Sequence, residues 1–236
     1  MNVTIILVGT THPGNIGATA RAMKNMGLNE LILVNPKSFP DPEASARASG
    51  AEEILRNVTI FDNLSDAIKD FTYVVGASSR SRTIDWPSFD VRACAIRLLQ
   101  EGCNGKAAAV FGPEHSGLTN SDLDHCHALL TIPSDPSFSS LNIAMAVQIL
   151  TYELRMSFYD GLYDEHKSGT PLASVEELEH FYSHLEDVLT RSNFLDPENP
   201  RYLMRRLRRF FVRATPDKNE VNIFRGILTS LDQKKV

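Results

Sequence analysis

Short, nearly continuous apolar runs alternate with stretches of helical periodicity along the first part of the chain. The runs are Val3–Val8, Leu31–Val34, Val58–Phe61, Tyr73–Gly76, Ala107–Phe111 and Leu129–Ile132. An uninterrupted apolar run, rather than strict alternation, is what a strand covered on both faces shows. Gly9–Asn15, with Pro13 and Gly14, reads as loop; helical spacing predicts a helix after it through Met26, with Gly27 as a left-handed stop, and shorter helices over Ala51–Leu55, Leu64–Asp70, 90–101 and Asn120–Cys126. Residues 37–45, with Pro40 and Pro42, read as loop. A long helix is expected from about Leu141 to Tyr159, with Ser140 as its N-cap. Strands alternating with helices predict an α/β fold, a mostly parallel sheet with helices on both faces, over residues 1–160.

The pattern then changes. Residues 161–173 are polar and contain Gly161 and Gly169, as a linker would. Ser174-Val175-Glu176-Glu177 matches a capping box, and Leu178, Phe181, Leu185 and Val188 follow at helical spacing. Asn193–Pro200 reads as a turn, and 201–214 and 219–233 as two further helices. Residues 174–236 thus form an all-helical extension. It is too small for a generous core of its own and has to pack against the main domain or another subunit.

The formal net charge of −5 disfavours a polyanionic partner only until its distribution is considered. Residues 201–236 hold ten Lys/Arg against three Asp/Glu, a local +7, which leaves −12 for the rest of the chain. This is the footprint of a surface for a polyanion. No apolar run approaches the ~18 residues of a membrane span. The N-terminus reads as a strand and not as a signal peptide. Three cysteines, Cys94, Cys103 and Cys126, without a CxxC spacing fit a reducing, cytoplasmic setting. Neither a GxGxxG turn nor a Walker A loop is present, which weakens a dinucleotide or P-loop reading. No metal is expected: His180 and His184 lie on a charged helical face, and His125-Cys126-His127 lacks ligand spacing.

Candidate chemistry collects in three stretches at strand ends, where α/β proteins place ligands. In Asn15-Ile16-Gly17-Ala18-Thr19-Ala20-Arg21, an arginine among alanines is either the rim of a tightly packed helix or a clamp for phosphate or carboxylate. In Phe111-Gly112-Pro113-Glu114-His115-Ser116-Gly117-Leu118, the glycines serve either a turn or a close approach to a ligand, with Glu114 as acceptor. In Ser139-Ser140-Leu141-Asn142-Ile143-Ala144-Met145-Ala146, Ser140 and Asn142 are a cap, ligand contacts, or both.

Together these three stretches resemble the signature motifs of the SPOUT RNA ribose methyltransferases. Within that superfamily they are most similar to the bacterial TrmJ type, which methylates a pyrimidine ribose in the tRNA anticodon loop. The likeness extends to Arg80-Ser81-Arg82-Thr83 with Trp86-Pro87, and to Leu207-Arg208-Arg209-Phe210-Phe211. It implies a C-terminal trefoil knot and a homodimer with the active site at the subunit interface. It also implies S-adenosylmethionine bound by Ala77, Ser78, Ser79, Gly112, Glu114 and the Ile132–Leu141 segment, with Ser139, Ser140 and Leu141 in contact. Arg21 is marked as catalytic, with Asn15, Ser140 and Asn142 positioning the ribose. A guanidinium stays protonated in proteins, so Arg21 is assigned to holding phosphate and stabilising an alkoxide while phosphate or water takes the proton.

For tRNA, the candidate contacts are Arg80 and Arg82 near the pocket and Arg205, Arg206, Arg208, Arg209 and Arg213 on the extension, with Leu203, Leu207, Phe210 and Phe211 on the buried side. The competing readings are a ribose methyltransferase of the same fold acting on ribosomal RNA, and a non-catalytic RNA-binding or dimerisation module.

Overall fold

The six apolar runs become strands of one sheet in a computed structural model of the chain, which describes residues 1–78, 86–163 and 170–233. The strands are β1 (Val3–Val8), β2 (Leu31–Val34), β3 (Thr59–Phe61), β4 (Tyr73–Ala77), β5 (Ser88–Phe89), β6 (Ala107–Phe111) and β7 (Ala128–Leu130). They pair in the order β3-β2-β1-β6-β4-β7-β5, every pair parallel. β5 has only two residues, too few for a periodic signal, and the run expected at Leu129–Ile132 lies one residue earlier and ends before Ile132.

Side chains alternate across the sheet and divide the core in two. Val3, Ile5 and Leu7 of β1 join one cluster, and Ile6 faces the other. The first face is covered by α1 (Pro13–Asn25), α2 (Pro42–Ala48), α3 (Glu52–Arg56), α5 (Val91–Asn104) and α7 (Ile143–Tyr159). α1 starts before Asn15, contrary to the loop expected there. Pro13 has the fixed φ that suits a first helical position, and the His12 ring accepts from Gly14 N. α2, in a segment expected to be loop, starts the same way, with Asp41 as N-cap and Pro42 just inside. The two helices cross closely at Gly17: a Cβ there would lie 2.0 Å from the carbonyl oxygen of Ala44.

From the first 160 residues, as far as they are described, the opposite face receives two five-residue helices, α4 (Leu64–Ile68) and α6 (Asn120–Asp124), and Trp86, whose Nε1–H donates to Cys126 O at 2.8 Å. Val175 and Val212 of the C-terminal helices complete this cluster. α8 (Val175–Arg191), α9 (Leu203–Ala214) and α10 (Lys218–Gln233) enclose a small core of their own, with Phe181 packed edge-on to Phe211. Ser174 caps α8 in the expected box. Leu172, in the segment read as linker, bridges to Asp217.

Docking of these helices is fixed by backbone and by charge. Val175 N donates to Phe71 O, and Glu176 N to Lys69 O. Arg205 grips Asp124, its Nε 2.9 Å from both carboxylate oxygens. Arg208 binds Glu179 through two nitrogens and stacks over Tyr182, and His125 Nδ1 lies 3.1 Å from the same carboxylate. Burial opposes ionisation of Glu179, but hydrogen bonds from His125 and Arg208 and their charge bring its pKa down to about 2.

Two outcomes follow for stability. Gly17→Ala is expected to lower it by roughly 3 kcal/mol or more, because one partner in the clash is backbone and cannot step aside; chemical denaturation measures this. A depressed carboxylate stabilises the fold above its unfolded pKa, and that contribution fades as pH falls towards the folded value. Glu179→Gln is therefore expected to cost roughly 2–3 kcal/mol at pH 7 and under about 1 kcal/mol at pH 2, read from urea midpoints at both pH values.

Candidate active site

The three motif stretches meet at the carboxyl ends of β4, β6 and β7. The second and third line one cavity of about 320 Å³, in the size range of small-molecule and cofactor sites, and the first joins them through Asn15. Ala77, Ser78, Gly112, Glu114, Ile132, Ser139, Ser140 and Leu141 all line it. Ser79, Arg80 and Arg82 lie outside the described residues. The lining mixes apolar side chains (Leu118, Leu130, Ile132, Leu141 and Ile143) with the hydroxyl residues Ser78, Ser139 and Ser140. Gly112 is needed by the protein itself: a Cβ would lie 2.3 Å from Leu118 N and 2.4 Å from Gly117 C, so the loop folds back on its own backbone. Gly117 closes that loop with φ +66°.

Glu114 ties the stretches together. Its carboxylate accepts from Thr11 N (3.1 Å), the Thr11 hydroxyl (2.9 Å) and Asn15 Nδ2 (2.7 Å). Asn15 Oδ1 in turn accepts from Asn142 Nδ2 at 3.0 Å. Asn142 Oδ1 caps α7, accepting from Ala144 N and Met145 N. The cap is thus Asn142 and not Ser140, which leaves Ser140 to line the cavity. Burial alone would raise the pKa of Glu114, but the hydrogen bonds from Asn15 and Thr11 outweigh it and lower the pKa below the ordinary value. The carboxylate stays charged at neutral pH and is a weak proton acceptor.

Arg21 is not brought to this cavity by its own chain. It lies exposed six residues beyond Asn15 on α1, with no hydrogen bond or ion pair holding it among the described residues. The α9 arginines divide into two sets. Arg205 is consumed in docking α9 on Asp124 and Arg208 in pairing α9 with Glu179 of α8, whereas Arg206 and Arg213 are exposed and Arg209 half-buried. Phe210, expected on the buried side, is 53 % exposed; Phe211 is buried as expected, and Val212 is buried beside it.

Residues 2–152 match the model of the SpoU rRNA Methylase family, and residues 176–236 that of the tRNA methyltransferase TrmJ C-terminal domain. The chain belongs to the SpoU methylase family. Among its relatives, a tRNA (cytidine/uridine/adenosine-2'-O-)-methyltransferase TrmJ of Pseudomonas aeruginosa is 49 % identical over 96 % of this chain and 92 % of its own length. A tRNA (cytidine/uridine-2'-O-)-methyltransferase TrmJ of Yersinia enterocolitica is 46 % identical over 99 % of this chain and 92 % of its own. The crystal structure of TrmJ from Z. mobilis superposes with a TM-score of 0.84 at 32 % identity, covering 97 % of this chain and 98 % of that one.

The Glu114 linkage has a consequence independent of function. Glu114→Gln turns an acceptor-only group into one that must point an NH2 at a donor. It is expected to cost about 1–3 kcal/mol of stability. The side-chain amide resonances of Asn15 and Asn142 should shift together in ¹H–¹⁵N spectra.

Proposed function

We propose that the chain transfers the methyl group of S-adenosylmethionine to the 2′-hydroxyl of a pyrimidine ribose in the anticodon loop of tRNA, as a cytoplasmic homodimer. The observation that carries this reading is the convergence of residues 77–78, 111–118 and 130–146 on one cavity at the carboxyl edge of a parallel sheet, with Asn15 hydrogen-bonded to two of these segments. Two features of the chain favour tRNA over ribosomal RNA. The extension matches the TrmJ C-terminal model, and relatives similar over nearly the whole chain carry tRNA-specific names.

The cavity suits the cofactor. Its apolar side chains form walls for a flat base, its serines and loop backbone offer polar partners for a ribose, and a charged Glu114 favours a cationic ligand. Ala77, Ser78, Gly112, Glu114, Ile132, Ser139, Ser140 and Leu141 would hold it, in the loops where the family's trefoil knot is expected. When bound, S-adenosylmethionine supplies an electrophilic methyl group and its own leaving group.

The remaining work falls to side chains. Asn15 and Asn142 hold each other, and through Glu114 they hold Thr11 and the α7 N-terminus in register, so that Ser140 meets the ribose from a fixed loop. Arg21 serves the cavity of a second copy: its guanidinium binds the phosphate beside the target and stabilises the developing alkoxide, while phosphate or water takes the proton. An apolar stripe on α7 supports a second copy, with Met145 61 %, Tyr152 47 % and Tyr159 64 % exposed. The 2′-hydroxyl restricts the substrate to RNA. Residues 174–236 act as the tRNA-binding extension of a methyltransferase domain, 1–160, with Arg206, Arg209 and Arg213 as its RNA-facing cations and Arg80 and Arg82 nearer the site.

Labelled S-adenosylmethionine incubated with unmodified tRNA, and separately with ribosomal RNA, tests the reading. Label is expected in a 2′-O-methylated anticodon-loop pyrimidine. Arg21→Ala is expected to slow transfer by about 100-fold or more with cofactor binding retained. Mixing Arg21→Ala with Ser140→Ala subunits should restore part of the activity. Label confined to ribosomal RNA moves the target, and failure to bind cofactor sinks the enzyme reading.

A further inference from the structure

The outward face of α9 has an order that docking and charge do not account for. At about 100° per residue, Arg206, Phe210 and Arg213 fall within an arc of roughly 60°, and Tyr202, the N-cap of α9, stands exposed just ahead of them. Phe211, Val212 and the paired Arg208 occupy the opposite side. Tyr202 is 52 % and Phe210 53 % exposed, and both arginines are exposed. Aromatic ring and guanidinium thus alternate along one stripe, within a segment, 201–214, that holds no Asp or Glu. The ring contact of Phe210 is an edge-on one with Phe211 at 5.3 Å, which leaves its outer face to solvent.

We propose that this stripe grips an unpaired stretch of the RNA, stacking bases on Tyr202 and Phe210 and seating phosphates on Arg206 and Arg213. The proposal rests on the reading of the chain as an RNA methyltransferase and says which part of the RNA the extension takes. A surface that reads duplex backbone needs cations and hydrogen-bond donors; phenyl rings add nothing, because base faces in a duplex are covered by their neighbours. Flat rings between cations are the equipment of single-strand binders. The two rings stand about 12 Å apart along the helix axis, several times the ~3.4 Å step of a stacked strand. They therefore suit bases splayed from a loop. Arg205 fixes α9 to Asp124 at the end of α6, the helix that directly follows the cavity loop, so a strand held on the stripe has a set relation to the cavity.

The test uses the full chain with two RNA probes: an anticodon stem-loop and a blunt duplex of the same stem sequence. Binding is measured over a range of salt concentrations. Tyr202→Ala and Phe210→Leu are each expected to weaken stem-loop binding about tenfold, leave the duplex unaffected and leave the salt slope unchanged. Phe210→Leu keeps an apolar side chain of similar bulk, and Phe210→Tyr should restore binding. Arg206→Gln and Arg213→Gln should weaken both RNAs and each reduce the salt slope by about one. Aromatic variants that affect both RNAs equally, or neither, overturn the stacking role. Arginine variants without effect, in a protein that still methylates tRNA, remove α9 from the RNA surface while the enzyme reading stands. A wild-type chain that binds neither RNA overturns the proposal and the functional reading together.

Discussion

An all-parallel sheet has no face to spare for water, and this constraint organises the molecule. One face of the sheet is closed by five helices that the first 160 residues supply. The other has two helices of five residues each, and the cluster beneath them is finished by Val175 and Val212 from the C-terminal end. The extension is therefore a wall of the main domain as well as a body of its own. The contacts of Arg205 with Asp124 and of Glu179 with His125 fix the angle at which that wall is set. His127 is buried in the main domain, its ring against Tyr73. It sits between β4 and the end of α6, accepts from Val74 N, and has its pKa pushed down to about 4 by desolvation, so it remains neutral.

At the open edge of the sheet the same economy holds. Glu114, Asn15 and Asn142 satisfy one another in sequence, and each belongs to a different segment. A polar chain of this kind is stable because every member has a partner, and it transmits a displacement of any loop to the other two. The cavity beside it is thus defined by hydrogen bonds between motifs as much as by packing within them.

Much of this was legible in the sequence, for identifiable reasons. Strands buried on both faces announce themselves as unbroken apolar runs, so six of the seven were found; β5 escaped because two residues carry no period. Small and polar residues at strand ends pointed to the region of the cavity, and the family resemblance supplied its lining residues. The errors lie where local chemistry had more than one solution. Ser140 and Asn142 are both good caps, and only the position of Asn15 decides between them. Pro42 reads as a loop signal and as a first helical residue equally well. Arg205 and Arg208 are indistinguishable from Arg206 and Arg213 in a linear chain, because the acids that neutralise them stand 81 and 29 residues away. Phe210 was misplaced because two adjacent phenylalanines cannot both face one core.

The double duty of the C-terminal helices bears on how such a protein can be taken apart. A catalytic domain cut free of its extension would expose the apolar ground beneath Val175 and Val212 and leave Asp124 without its cation. Lost activity in such a fragment would report a damaged floor beneath the site as readily as a missing grip on the substrate. By the same reasoning, a foreign RNA-binding bundle grafted after residue 160 would need more than a basic surface. It would have to arrive with two valines for the cluster, an arginine for Asp124 and an acid for His125 in the right places before its own specificity could matter.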